Sequence, residues 1–151
     1  MQSSVGDLPQ ITGTAFDWTP VMSLDIQRSM AHRRKAVQRG GGYHAHGRVW
    51  IEGPDGTFLG YGRVGLLERI REHGSLSAAA RSMEMSYRHA WQLVDSMNRQ
   101  SRVPVVTLSV GGKGGGGATL TEAGQRAIDA FWSLWKGLED FLAAQTRALE
   151  L

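Results

Sequence analysis

The stretch SLSAAARSMEMSYRHAWQLVDSMN, residues 75–98, decides how this chain folds. Ser75 stands before a run of helix formers, and its hydroxyl is suited to accept from one of the unpaired N–H groups that open a helix. LSAAARSM supplies about two helical turns, and its small side chains let a second helix approach closely. Met83-Glu84-Met85 interrupts the run. Ser86 then repeats the capping signal ahead of YRHAWQLVDSMNRQ, where Ala90, Leu93, Val94 and Met97 recur at helical spacing as an inward stripe. Tyr87, Arg88, Trp91, Gln92 and Asp95 share the opposite face. Two helices joined by a tight turn, the second polar at its N-terminus, is the helix-turn-helix signature. An ordinary helical pair in an α+β core is the competing reading. Arg88 and Gln92 are residue types that read base edges. Trp91 fits either a nucleic-acid contact or packing on the helix upstream. Asp95 would be repelled by phosphate and is expected to act as a cap or to pair with an arginine.

Upstream of Ser75, RVGLLERIRE (residues 63–72) places Val64, Leu67, Ile70 and Arg71 at helical spacing, and Leu66 widens the face. His73-Gly74 ends it, with glycine suited to the left-handed position past a helix C-terminus. Further back, RVWIE and TFLGY flank Gly53-Pro54-Asp55-Gly56, which predicts a hairpin. Downstream, Pro104 stops the helix, β-branched VVTLSV reads as a strand, and ATLT reads as its shorter partner.

Between these two strands lies GGKGGGG, residues 111–117. The run formally contains Gly-x-Gly-x-x-Gly at Gly112, Gly114 and Gly117. A dinucleotide site needs a strand before the glycines and a helix after them, whose N-terminus holds the pyrophosphate. Here a strand follows, and Lys113 is followed by Gly114 rather than by Ser or Thr, so neither nucleotide motif is met. A strand, a glycine tip and a strand placed after a recognition helix make a wing. There Lys113 and unhindered backbone N–H groups would meet phosphates; a hairpin without contacts is the plainer alternative.

Thr121 caps the last helix and Glu122 opens it with a favourable negative charge. Ile128, Phe131, Trp135, Leu138, Leu142, Gln145 and Leu149 step by alternate threes and fours, with Trp132, Leu134 and Phe141 beside them. So wide an apolar face exceeds what a two-turn partner helix covers. The expectation is a homodimer through Ile128, Phe131, Trp132, Trp135, Leu138 and Leu142, with burial inside the monomer as the alternative.

The bulk properties set limits. The chain has 151 residues, 41% hydrophobic and 21% charged, enough for one modest core. Seventeen Lys+Arg against fourteen Asp+Glu leave +3, too little to prove a nucleic-acid partner. The distribution says more, since Arg28, Arg33, Arg34, Lys35, Arg39 and Arg48 lie in a stretch with no acid between them. Residues 1–45 thus read as a basic, mostly disordered arm fit for a polyanion, with a short helix possible at Ser23–Val37 and a glycine break at 40–42. With no cysteines, disulfides, zinc fingers and thiol nucleophiles are excluded. His44-x-His46 lacks a third ligand and is read as solvated, so neither metal nor cofactor is expected. No catalytic triad or close carboxylate pair stands out, so no enzyme is expected. No apolar run reaches the roughly 20 residues that cross a bilayer, and no secretory signal opens the chain, so a cytoplasmic protein without a membrane partner is expected.

GRVGLLERIREHGSLSAAARSMEMSYRHAWQLVDSMN (62–98) and VPVVTLSVGGKGGGGATLTEAGQRAI (103–128) together resemble the N-terminal DNA-binding domain of the ModE-type molybdate-responsive transcriptional regulators. LysR-type regulators share the layout more loosely. The most specific marks are GSLSAAA, SYRHAWQLVDSMN, the glycine wing and LTEAGQR, and the likeness covers about residues 47–131. The resemblance implies an α+β winged helix-turn-helix over 46–121 with an N-terminal hairpin, and a dimerisation helix over 122–151. It further implies double-stranded DNA as partner and a palindromic operator bound by a homodimer. Ser75, Ser77, Ser86, Tyr87, Arg88, Trp91, Gln92 and Lys113 are the expected DNA-binding residues. ModE proteins normally continue into molybdate-binding domains, and this chain reaches Leu151 after one helix. Molybdate or another oxyanion is therefore expected to act only through a separate chain. The alternative is a winged-helix module that binds protein and partners a separate effector-binding subunit.

Overall fold

A computed structural model describes residues 43–111 and 116–149. Its elements run β1 (Ile51–Gly53), β2 (Gly56–Leu59), α1 (Tyr61–His73), α2 (Leu76–Ser82), α3 (Tyr87–Gln100), β3 (Val106–Leu108), β4 (Ala118–Leu120) and α4 (Glu122–Arg147). The basic residues 28–39, the Ser23–Val37 helix and Lys113 lie outside the described residues.

The first hairpin forms at the expected tetrad. Gly53 faces Gly56 across the two-residue Pro54-Asp55 loop, and Gly56 takes φ 93°, which glycine adopts without strain. The ladder is shorter than RVWIE and TFLGY suggest. A register irregularity between Ile51 and Glu52 ends regular pairing, and Arg48–Trp50 lie outside the strand. Gly60 and Tyr61 leave the strand too, because Tyr61 already begins α1, two residues ahead of the predicted start. The Tyr61 ring meets Phe131 edge-on at 5.4 Å and Trp132 at 6.0 Å, which holds this first turn against α4.

The central helix is α1. Val64, Leu66, Leu67 and Ile70 are buried, and Gly74 closes it at φ 62° with its N–H donating to the Ile70 carbonyl at 2.9 Å. The left-handed cap expected of Gly74 is therefore present. Leu76, Ala79 and Ala80 of α2 and Ala90, Val94 and Met97 of α3 complete the side of the core facing α1; Leu93 is half-buried at its edge. The turn between α2 and α3 is closed by main-chain bonds from Met83, Glu84 and Met85 to the carbonyls of Ala80 and Arg81. Glu84 adopts φ 54°, an unfavourable conformation for a residue with a Cβ that this tight connection requires.

The second hairpin pairs Val106 with Leu120, Thr107 with Thr119 and Leu108 with Ala118, all antiparallel. One further bond, from the Ser109 N–H to the Gly117 carbonyl, extends it toward the glycines. VVTLSV is thus strand only in its middle: Val105 is buried beneath the ladder and Val110 is fully exposed. The Ala118 N–H donates to the Gly74 carbonyl at 3.0 Å, tying the hairpin to the end of α1.

The 26-residue α4 is where expectation and structure part. Ile128, Phe131 and Trp135, read from the sequence as subunit contacts, are 2%, 0% and 8% exposed within the single chain. Trp132 is half-buried, stacked edge-on between Phe131 (5.2 Å) and Trp135 (5.9 Å), and its indole N–H donates to Glu68 at 2.9 Å. The sequence argument set α4 against a two-turn helix, whereas the 13-residue α1 covers this face. Farther along, a Cβ on Gly47 would lie 3.0 Å from both Leu138 and Leu142, and the Ala45 N–H donates to the Thr146 hydroxyl. The residues just before β1 therefore run along the same side of α4 and half-cover those two leucines. The core is continuous across residue 121, since Ile128 and Phe131 join Val105, Val106 and Ala118 in one cluster.

Candidate nucleic-acid interface

The second helix of the pair presents its N-terminal half to solvent. Ser86 is the N-cap, its hydroxyl accepting from the His89 N–H at 3.2 Å, and the first turn of α3 carries no acidic residue. Ser75 caps α2 in the same way by accepting from Ala78, again with no acid in the first turn. The partial positive charge at both helix starts is therefore not offset by an acidic side chain in the first turn. By contrast α4 begins with Glu122, which neutralises that end within the chain.

Tyr87 is 53% and Trp91 43% exposed, and Arg88 and Gln92 beside them are exposed as well. For Trp91 the packing reading does not hold, because its indole stays accessible rather than sinking against α1. Asp95 is paired with Arg99, one turn on at 2.6 Å, as expected. The stripe facing the other way, Ala90, Val94 and Met97, fixes the rotation of α3, so the exposed set is held by core packing rather than by its own contacts. Ser77 lies exposed on the first turn of α2, and Ser75 is half-buried at its cap.

Asn98 joins this helix to the wing. Its amide nitrogen donates to the Val106 carbonyl at 2.8 Å, and its amide oxygen accepts from Val105 (2.8 Å) and Val106 (3.2 Å). The same strands are fastened to α4 by Thr121, whose hydroxyl donates to the Pro104 carbonyl and accepts from the Gly124 N–H. α3, the base of the second hairpin and α4 are thus tied together by side-chain hydrogen bonds. Sequence reading passed over Asn98, because its bonds depend on where β3 arrives, and spacing along α3 carries no sign of that.

Sequence reading also did not signal a groove of about 420 Å³ between the first hairpin, the start of α1 and the α2–α3 turn. Trp50, Tyr61, Met83, Met85 and Leu93 give it apolar walls, and His89 and Arg63 also line it. These residues come from separate segments with no shared period, so no linear pattern marks them. Arg63 is fixed by donating to the Ser96 hydroxyl at 3.1 Å, and burial pushes its guanidinium below the usual arginine range.

Among the described residues no group of three or more His, Cys, Asp or Glu is placed to hold a metal ion, and His44 and His46 are exposed. Among the same residues no helix is long and apolar enough to cross a membrane.

With the geometry in place, known proteins agree with it. Residues 63–125 match the family described as bacterial regulatory helix-turn-helix protein, lysR family. The chain is 44% identical over 96 residues to the molybdenum-pterin-binding protein MopB of Rhodobacter capsulatus, covering 64% of this chain and 36% of MopB. It is 37% identical over 87 residues to the molybdenum transport protein ModE of Azotobacter vinelandii, covering 58% of this chain and 32% of that protein. It is 44% identical over 69 residues to the DNA-binding transcriptional dual regulator ModE of Escherichia coli, covering 46% of this chain and 26% of that protein. Each match thus takes in about a third or less of the relative's length. The chain carries a LysR-type helix-turn-helix domain and is homologous in that region to the ModE and Mop proteins.

Proposed function

We propose that this protein is a transcriptional regulator of the ModE type that binds a palindromic operator, sequence-specifically, as a homodimer. The observation that carries the reading is the solvent-facing set Tyr87, Arg88, Trp91 and Gln92 on a helix whose other face is locked into the core. In the major groove, Arg88 is suited to bridge guanine O6 and N7, and Gln92 to bridge adenine N6 and N7. The rings of Tyr87 and Trp91 supply apolar contact to thymine methyl groups and sugars. The acid-free starts of α2 and α3, with Ser75, Ser77 and Ser86, face phosphates, and Lys113 on the wing adds a cationic contact. The names of the relatives connect this domain type with molybdenum, so the regulated process is taken to be molybdenum handling.

Selection of bound sequences from a random DNA pool, with and without molybdate, tests this. A two-fold symmetric consensus is expected, and its sharpness should fall when Arg88 is replaced by alanine. A pool that shows no enrichment would refute the reading. The rival, a winged helix that docks on a protein subunit, predicts no enrichment and no steep salt dependence of DNA binding.

A further inference from the structure

The groove between the first hairpin, the start of α1 and the α2–α3 turn has a one-sided chemistry. Arg48, Arg63 and His89 line its volume of about 420 Å³, and no aspartate or glutamate does. Glu84, which stands between two lining methionines, is exposed and lies outside the lining, and Glu52 accepts from the Trp50 indole N–H at 3.2 Å. A guanidinium offers five N–H donors, but among the described residues Arg63 makes one hydrogen bond, to the Ser96 hydroxyl, and pairs with no carboxylate. Burial pushes this arginine below its ordinary range, the mark of a cation that has lost solvation without gaining a counter-ion. The rest of the wall is apolar. Trp50 is 57% exposed, and Met83, Met85 and Leu93 are half-buried. The unbranched thioethers of the two methionines adapt to an aromatic ring and attract its edge.

We propose that this groove binds a small aromatic carboxylate, its ring body against Trp50, Met83, Met85 and Leu93 and its carboxylate on Arg63. Small-molecule sites span about 300–1,000 Å³ and combine apolar walls with a few polar groups that fix orientation, so this groove suits a ligand of one or two rings. The charge pattern selects among such ligands. A carboxylate accepts two parallel N–H bonds from a guanidinium and supplies the counter-ion that Arg63 lacks. A cation would be set against Arg48 and Arg63 together. A neutral ring would fill the walls and leave the arginine as it is. A compact, strongly hydrated oxyanion would give up its water to apolar side chains and gain little in return. Only a ligand that is apolar over most of its surface and anionic at one end answers both halves of the lining. The site involves no contact with DNA, and its test uses none.

The probes are 2-naphthoate and its neutral counterpart 2-naphthamide, each titrated into the full chain with its methionine methyl groups labelled for NMR. Saturable shifts are expected at Met83 and Met85, while Met97, buried in the core, stays unmoved. The naphthoate should bind at least tenfold more tightly than the amide. Arg63→Met removes the charge and keeps an apolar stem, and it should bring the two probes to equal affinity. Gly60→Asp supplies a second variant should Arg63→Met fail to fold. Gly60 is extended at φ −161°, and a Cβ there comes no closer than 3.9 Å to Trp50 and Thr57. Aspartate is also a preferred N-cap residue, so α1 keeps its start. The added negative charge should weaken naphthoate at least tenfold and spare the amide. Equal affinity of the wild-type chain for the two probes would overturn the proposal, as would shifts confined to other methionines. The absence of any saturable shift, as when a segment of this chain or of a second copy fills the groove, would overturn it too.

Discussion

At the scale of single residues, Asn98 and Glu68 do the most with one side chain. Asn98 satisfies two N–H groups and a carbonyl at the entry to β3, and both N–H groups belong to buried residues. Asn98→Ala leaves all three without that partner and is expected to lower stability by about 2–3 kcal/mol, read as a shifted urea midpoint at unchanged slope. Glu68 is 5% exposed, and burial pushes its carboxyl above the usual value of 4.5, opposed by the hydrogen bond from Trp132 and by the Arg71 charge. Between 4.5 and the raised folded value, the folded chain binds more protons than the unfolded one. Stability from this group is therefore complete below 4.5 and is lost as pH rises through the folded value. Glu68→Gln keeps an oxygen for the Trp132 N–H and removes the titration. The variant should match wild type at low pH and gain on it steadily through this window, then hold a constant advantage. Parallel stability curves across that range would contradict the assignment.

At the scale of elements, Gly124 shows how closely α4 seats on the base of the wing. A Cβ there would strike the Val105 carbonyl oxygen and come within 2.5 Å of Leu120 Cδ1. That carbonyl cannot swing aside, because it accepts from the Thr121 N–H at 3.0 Å. Gly124→Ala should lower stability by about 1–3 kcal/mol through overpacking, although the same exchange in an open helix stabilises by up to about 1 kcal/mol. Thermal unfolding of the variant gives the sign directly. The contrast also marks what the sequence made legible. Caps at Ser75, Ser86 and Thr121, the Gly74 stop and both hairpins are local events, and each is where its residues put it. The early start of α1 was hidden because Gly60 offers no side-chain cap, and the reason for that start is a contact to α4. The α4 face was read correctly as apolar, but periodicity names a face without naming what covers it. Exposure of Tyr87, Arg88 and Gln92 was legible, since the stripe of Ala90, Val94 and Met97 fixes the opposite side, whereas Trp91 could equally have packed on α1 and its exposure became plain only in the structure. The bonds of Asn98 were not, because they require the arrival of β3.

At the scale of the whole molecule, the proposed function requires charge and symmetry to act together on DNA. A net charge of +3 gives only weak general attraction, so affinity must come from a few cations placed against phosphates. If each subunit of a dimer neutralises about three or four phosphates, log K against log salt should fall with a slope of about −5 to −7. Two substitutions then separate the roles within that total. If Lys113 of each subunit contacts phosphate as proposed, Lys113→Ala should weaken all sequences alike and make the slope shallower by about 2. If Arg88 reads a base as proposed, Arg88→Ala should cost about 1–3 kcal/mol per half-site on the preferred operator and much less on random DNA. Anisotropy titrations of both variants on both DNAs, at several salt concentrations, check this. The proposed dimer also constrains spacing: two recognition helices related by a two-fold axis reach successive major grooves only when half-sites lie about 10 base pairs, or a multiple, apart. Inserting five base pairs between the half-sites turns one of them to the opposite side of the duplex. Affinity should then drop toward that of a single half-site, and inserting ten should restore part of it where the DNA can span the added length.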